Sequence, residues 1–149
     1  MYTGLSHLHS SLRYALLVLI VVSIVLAIKA YKNKSALDEK SFKLVKFTFI
    51  LTHVQLLIGL ILFFVSPKVQ AMLDDMSLVS QNKELRFFGM EHPLQMIIAL
   101  ALLTIGYIKA KKMTGIAQSK TIMIYWIVAL SLIFVSIPWP FLKEFGTWF

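Results

Sequence analysis

The chain contains no cysteine. Disulfides, thiolate nucleophiles and cysteine-held iron–sulfur clusters are therefore excluded. The covalent attachment motif of c-type haem is absent for the same reason, so any haem is held by ligation alone. Acidic residues are scarce: 7 Asp and Glu stand against 15 Lys and Arg, a formal charge of +8. The first ten residues, MYTGLSHLHS, hold no Lys or Arg, and no small-residue A-x-A site follows the first apolar run. No cleaved signal peptide is expected, and the first helix stays in the membrane. No Gly-rich phosphate loop, G-x-S-x-G or H-E-x-x-H motif occurs, which removes the common soluble-enzyme signatures. Nucleic-acid binding has no soluble module to carry it, despite the positive charge.

What is present is apolar. Of 149 residues, 58% are hydrophobic, and the mean hydropathy is +0.79; a soluble domain is roughly 45–50% apolar. Leu12–Ile28, Phe47–Val65, Pro93–Ile108 and Thr121–Ile137 are nearly unbroken apolar runs, the last ending at Pro138-Trp139-Pro140. A span needs about 20 residues, and backbone groups in lipid must be satisfied within the segment, so each run is a helix. The reading is all-α: residues 1–149 form a single integral membrane domain, a four-helix transmembrane bundle with spans at about 11–29, 46–66, 91–109 and 121–138. Its first partner is the lipid bilayer.

Charge orients the bundle. Lys29, Lys32, Lys34, Lys40, Lys43 and Lys46 lie between the first two spans, and Lys109, Lys111, Lys112 and Lys120 between the last two. The other side has Arg13, Lys68, Lys83, Arg86 and Lys143, balanced by Asp74, Asp75, Glu84, Glu91 and Glu144. The positive-inside rule puts the lysine loops in the cytoplasm, with both termini on the opposite side of the membrane. Tyr2, Trp139 and Trp148 then form an outer aromatic belt. The 66–91 segment is too polar to span. Its apolar residues Val69, Met72, Leu73, Met76 and Val79 have helical spacing, which predicts a short amphipathic helix on the outer surface between helices 2 and 3.

Two echoes recur. Ile28-Lys29-Ala30 ends the first helix and Ile108-Lys109-Ala110 the third; Phe64-Val65-Ser66-Pro67 ends the second and Phe134-Val135-Ser136-Ile137-Pro138 the fourth. A helix pair used twice in parallel orientation gives such echoes, as does chance. Duplication makes His9 and His92, at the outer starts of helices 1 and 3, equivalent positions.

All four histidines, His7, His9, His53 and His92, lie in or beside the spans, where ionisable residues are costly and carry functional hypotheses. His53 falls within roughly 5 Å of the bilayer midplane at 1.5 Å per residue. It shares its helix with Thr48, Thr52, Gln55 and Gly59, a polar or small stripe that should face the interior. It is either a neutral group bonded between helices, a ligand or a proton relay. His92, between Glu91 and Pro93, is either a helix start or part of a metal or cofactor site. His9 and Arg13 share a helix face at i, i+4; Arg13 either meets a haem propionate beside a histidine ligand or snorkels to lipid phosphate. His7, His9, Glu91 and His92 form a candidate outward metal set. Met72, Met76, Met90 and Met96 are soft donors that suit Cu(I) or ordinary apolar filler.

With His7-Leu8-His9-Ser10, Leu12-Arg13-Tyr14, Thr52-His53-Val54-Gln55, Glu91-His92-Pro93 and Ile137-Pro138-Trp139-Pro140 on the page, the chain resembles a known group over nearly its whole length. This is the small four-helix inner-membrane proteins of Bacteroidetes-type bacteria often labelled cytochrome b-like. The resemblance implies haem b held by histidines between helices, with His9, His53 and His92 in the fitting positions and His7 behind them. His53 and His92 differ in depth by roughly 12–18 Å. Two ligands of one haem must lie level, a condition that His9 and His92 meet. Arg13 and Arg86 then neutralise the propionates.

Three functions compete. One is a b-type cytochrome-like protein that carries electrons near the outer face, partnered by quinone or a larger membrane complex. The second handles copper, zinc or iron at the outward histidines. The third is a structural or accessory subunit without cofactor. The charge asymmetry makes a prediction common to all three. A reporter fused after Ala36 should read cytoplasmic and one at the C terminus periplasmic. A C-terminal fusion active only in the cytoplasm contradicts the orientation.

Overall fold

The computed structural model describes residues 2–141 and 144–146. Four long helices are apolar enough to cross a membrane, and the described residues contain no strand. The protein is a multi-pass, all-α membrane bundle. Helix α1 runs Tyr2–Lys32, α2 Glu39–Val65, α3 Pro67–Asp74, α4 Leu78–Gln81, α5 Lys83–Arg86, α6 His92–Lys111 and α7 Gly115–Ser136. Lys143 and Trp148, assigned above to the outer side, lie outside the described residues.

The spanning helices reach beyond their apolar runs. Helix α1 begins at Tyr2, so His9 sits two turns into it. Asp38 caps α2, accepting the Ser41 N–H at 3.0 Å and its hydroxyl at 2.6 Å. These bonds hold the exposed Asp38 carboxyl below the usual range, so the cap persists until the pH falls through that lowered value. Pro93 lies in the first turn of α6, as expected, but helical backbone also precedes it. Residues Lys83–Lys111 run as one helix, joined by a π-turn over Phe87–Glu91 that the His92 N–H closes onto Phe87 O. Proline lacks an N–H and crowds the carbonyl four residues back; widening the ladder by one residue accommodates both.

The 66–91 segment contains the expected short amphipathic helix, α3, and two further short helices, α4 and α5, follow it. Asp75 accepts the Ser77 N–H at 2.9 Å, and Asn82 accepts those of Glu84 and Leu85 at 2.9 and 3.1 Å. Such side-chain turns divert the backbone from one continuous helix. Only Val69 and Met72 of the five apolar positions are buried, while Leu73 and Met76 point outward. Met72 packs where Gly89 lacks a Cβ, which docks α3 on the π-turn.

Around the bundle, α1 packs on α2 and α7, and α6 on α7 and α2. Helices α1 and α6 are therefore diagonal, as are α2 and α7, the arrangement that a two-fold between the helix pairs requires. The α6–α7 interface is the most extensive and the α2–α6 seam the thinnest. The two lysine-rich loops meet: Ser119 donates to Ser35 O at 2.8 Å, and Leu37 N–H to Gln118 Oε1 at 3.2 Å. All ten of their lysines thus lie at one end.

The packed core occupies that lysine half. Ile20, Ile24, Val45, Leu103, Ile122 and Trp126 anchor it, and the Trp126 indole N–H donates to Leu103 O at 3.2 Å. The small-residue stripe of α2 faces inward: Thr48 and Thr52 are buried, and Thr48 meets Ser23 of α1 at 3.3 Å between hydroxyls. Val18, Leu57, Ile98 and Val135 are exposed on the outward faces, where lipid is their solvent.

Gly106 sets the α6–α7 approach, since a Cβ there would stand 2.6 Å from Tyr125 Cβ. Gly106→Ala should destabilise the bundle by about 1–3 kcal/mol through overpacking, read as a lower melting temperature in detergent. Gly4, with nothing within 4 Å of an added Cβ, supplies the control: Gly4→Ala should leave the transition in place. Equal melting of both variants contradicts the packing account.

Candidate functional site

The half of the bundle away from the lysine loops holds a partly open cavity of about 230 Å³. It extends from Tyr2 and Ser66 down to Ile20 and Leu103, where the packed core begins, and Val69 and Phe88 of the outer segment help close it. Its walls are mostly apolar. Its polar groups concentrate on α1 and on the facing stripe of α2.

Two histidines face each other in this wall. His9 of α1 and His92 of α6 have ring centroids 6.4 Å apart and planes inclined by 76°. The helices are diagonal, so the pair spans the bundle interior. His92 stands at the end of the π-turn, against the buried Phe87 at 5.7 Å between ring centroids. Its Nδ1 is 2.8 Å from Ser136 O. A carbonyl can only accept, so the proton is on Nδ1 and, in the neutral ring, Nε2 keeps its lone pair. Ser136 is itself fixed, its hydroxyl donating to Gln95 Oε1 at 2.6 Å.

His9 is held differently. Its ring lies against α2 at Gly59, where a Cβ would come within 3.2 Å of Cε1. The Gln55 amide donates to His9 O at 2.9 Å. His9 Nδ1 and Gln55 Oε1 are both buried without a hydrogen-bond partner. Arg13 also lines the cavity. Its guanidinium donates to the Tyr14 hydroxyl at 2.9 Å and lies 5.8 Å from the Trp139 ring centroid. That is an interior placement, with aromatic groups around the charge.

The remaining candidates lie elsewhere. His53 donates Nδ1–H to Phe49 O at 2.8 Å, and its Nε2 is 3.4 Å from the Thr104 hydroxyl. Thr104 is twelve residues beyond His92, about 18 Å along α6. His53 is thus a deep interhelix group apart from the pair. Arg86 is paired with Glu91 at 2.8 Å, across the π-turn, and is not in the cavity wall. His7 is exposed. Among the described residues, no three His, Asp or Glu side chains converge as metal donors, so His7 and Glu91 do not join the His9–His92 pair in one donor set. Met96 lines the cavity; Met76 and Met90 are exposed.

Sequence reasoning did not find the Ser136 carbonyl or Phe87. The first had a signal. The last four carbonyls of a helix lack intrahelical partners, and Pro138 follows closely. The second had none, because the π-turn that turns Phe87 inward is not legible in the pattern.

No protein-family model, curated protein or solved structure matches the chain.

The absence of native cysteine makes the pairing directly testable. A His9→Cys/His92→Cys variant should be linked efficiently by a short bis-maleimide, seen as a mobility shift after cleavage of a protease site placed between residues 33 and 37. A His9→Cys/His53→Cys variant, cut at the same site, should link poorly. Equal yields from the two contradict the placement.

Proposed function

We propose that the protein is a membrane-integral, b-type cytochrome-like electron carrier. His9 and His92 hold one haem b near the outer face of the bacterial cytoplasmic membrane, with both termini periplasmic. The observation that carries this reading is the facing imidazole pair, 6.4 Å between centroids. Imidazole nitrogen binds first-row metals at about 2 Å, so two rings at this separation could both hold one metal ion. The residues fit the group in other respects. His92 presents an unprotonated Nε2, His9 retains a buried ring nitrogen without a partner, and the walls are apolar. The cavity volume is below the about 300–1,000 Å³ of drug-sized pockets. A flat macrocycle therefore requires the thin α2–α6 seam to part.

When bound, haem supplies one-electron transfer, with a potential tuned by ligands and burial. The chain's residues do the rest. Ser136 O orients His92, Phe87 packs against its ring, and apolar side chains exclude water. Arg13 places a cation in the cavity wall for a propionate; Arg86 is engaged by Glu91 and leaves that role to Arg13. His53 bonds between helices below the site. The quinone pool or a larger membrane complex would be the partner that exchanges electrons with it. A cofactor-free accessory subunit is the second reading, favoured by the modest cavity volume.

The visible spectrum of purified protein, expressed with adequate haem supply, decides between them. A bis-histidine spectrum is expected. His9→Ala or His92→Ala should abolish it, and His53→Ala should leave most of it. Colourless wild-type protein removes the cytochrome reading and favours the accessory subunit.

A further inference from the structure

The cavity as it stands is too small for a macrocycle, and its size and wall chemistry describe a different guest. An apolar cavity of about 150 Å³ takes up one benzene molecule. The 230 Å³ here therefore accommodates a single substituted ring.

The polar atoms of the wall say what that ring must carry. Gln55 Nε2 donates to His9 O at 2.9 Å. Only the amide nitrogen can donate to a carbonyl, so the atom left over is the acceptor Oε1, buried without a partner. His92 also lines the cavity. Its Nδ1–H is held by Ser136 O at 2.8 Å, so the nitrogen left over in the neutral ring, Nε2, is a second acceptor. A buried acceptor without a donor is costly. Two acceptors in an otherwise apolar wall select a guest that brings hydroxyl groups.

The way in is lateral. Leu60 of α2 and Ile97 of α6 line the cavity and are also exposed, so the cavity reaches the lipid-facing surface at the α2–α6 seam. Toward the lysine end, Phe42 and Phe49 stack on Tyr107 and close the same seam. The opening is confined to the half that holds Gln55 and His92.

We propose that the cavity is a binding site for a lipid-soluble phenol: one aromatic ring whose hydroxyl groups donate to Gln55 Oε1 and His92 Nε2, admitted from the bilayer between α2 and α6. Such a guest and a macrocycle compete for one space, and the inference does not rest on the haem reading.

Titration calorimetry of protein purified in detergent without haem tests this, with tetramethylhydroquinone, kept reduced, as the probe. Its dimethyl ether has the same ring and no O–H, and should bind about tenfold more weakly. The quinone form, an acceptor only, should also bind weakly. So should decanol, which has the hydroxyl without the ring. Gln55→Leu removes one acceptor and should reduce the preference for hydroquinone over ether, a ratio that a merely structural role of Gln55 leaves unchanged. Wild type that binds no hydroquinone, or binds the ether, the quinone or decanol as tightly, overturns the proposal whether or not the variant folds. An unchanged ratio in folded Gln55→Leu overturns it as well. Colourless protein that prefers the hydroquinone removes the cytochrome reading and keeps this one. A bis-histidine spectrum, with no hydroquinone bound by the haem-free protein, does the reverse.

Discussion

Hydrocarbon cannot form hydrogen bonds, and the placement of the polar side chains in the spans follows from that. Each must find a partner inside the protein. Thr48, Thr104 and Ser131 turn back onto carbonyls four residues earlier. Ser23 and Thr48 meet across α1 and α2, and Trp126 reaches Leu103 O. Among the described residues, His9 Nδ1 and Gln55 Oε1 are buried without a hydrogen-bond partner. They lie together, in the wall of the cavity.

The bundle is asymmetric along its length. In the lysine half, Gly106 admits Tyr125, and Trp126 and Ile122 fill the centre. Phe42 and Phe49 stack on Tyr107 at 5.8 and 4.4 Å, closing the α2–α6 seam there. In the other half the same seam is bordered by Leu60 and Ile97, both exposed and both lining the cavity. Close packing at one end thus supports open space at the other. A site built on rigid helices holds its groups more closely than one built on loops.

The helices were legible because lipid imposes a length and a composition on each span. The inward stripe of α2 was legible because Thr48, Thr52, Gln55 and Gly59 repeat at helical spacing. The level placement of His9 and His92 came from counting residues, and it survived the earlier start of the third helix because both rings still meet. The outer segment was less legible. Its fate depends on Asp75 and Asn82 competing for backbone N–H groups, which periodicity does not report. Pro93 was informative about strain, but whether a chain answers with a helix start or a π-turn is decided by what packs upstream, here Met72 against Gly89. Arg86 was read for its charge alone; Glu91, five residues on, becomes its neighbour only through that π-turn.

The thin α2–α6 seam has a bearing on biogenesis. Helices α1 and α2 form one hairpin and α6 and α7 another, and the chamber has walls from both. Neither hairpin possesses the chamber by itself. Membrane helices insert before they associate, so the chamber comes into being only when the hairpins dock along α1 and α7. An apolar guest already dissolved in the bilayer can be enclosed at that moment, which requires no passage through a finished wall.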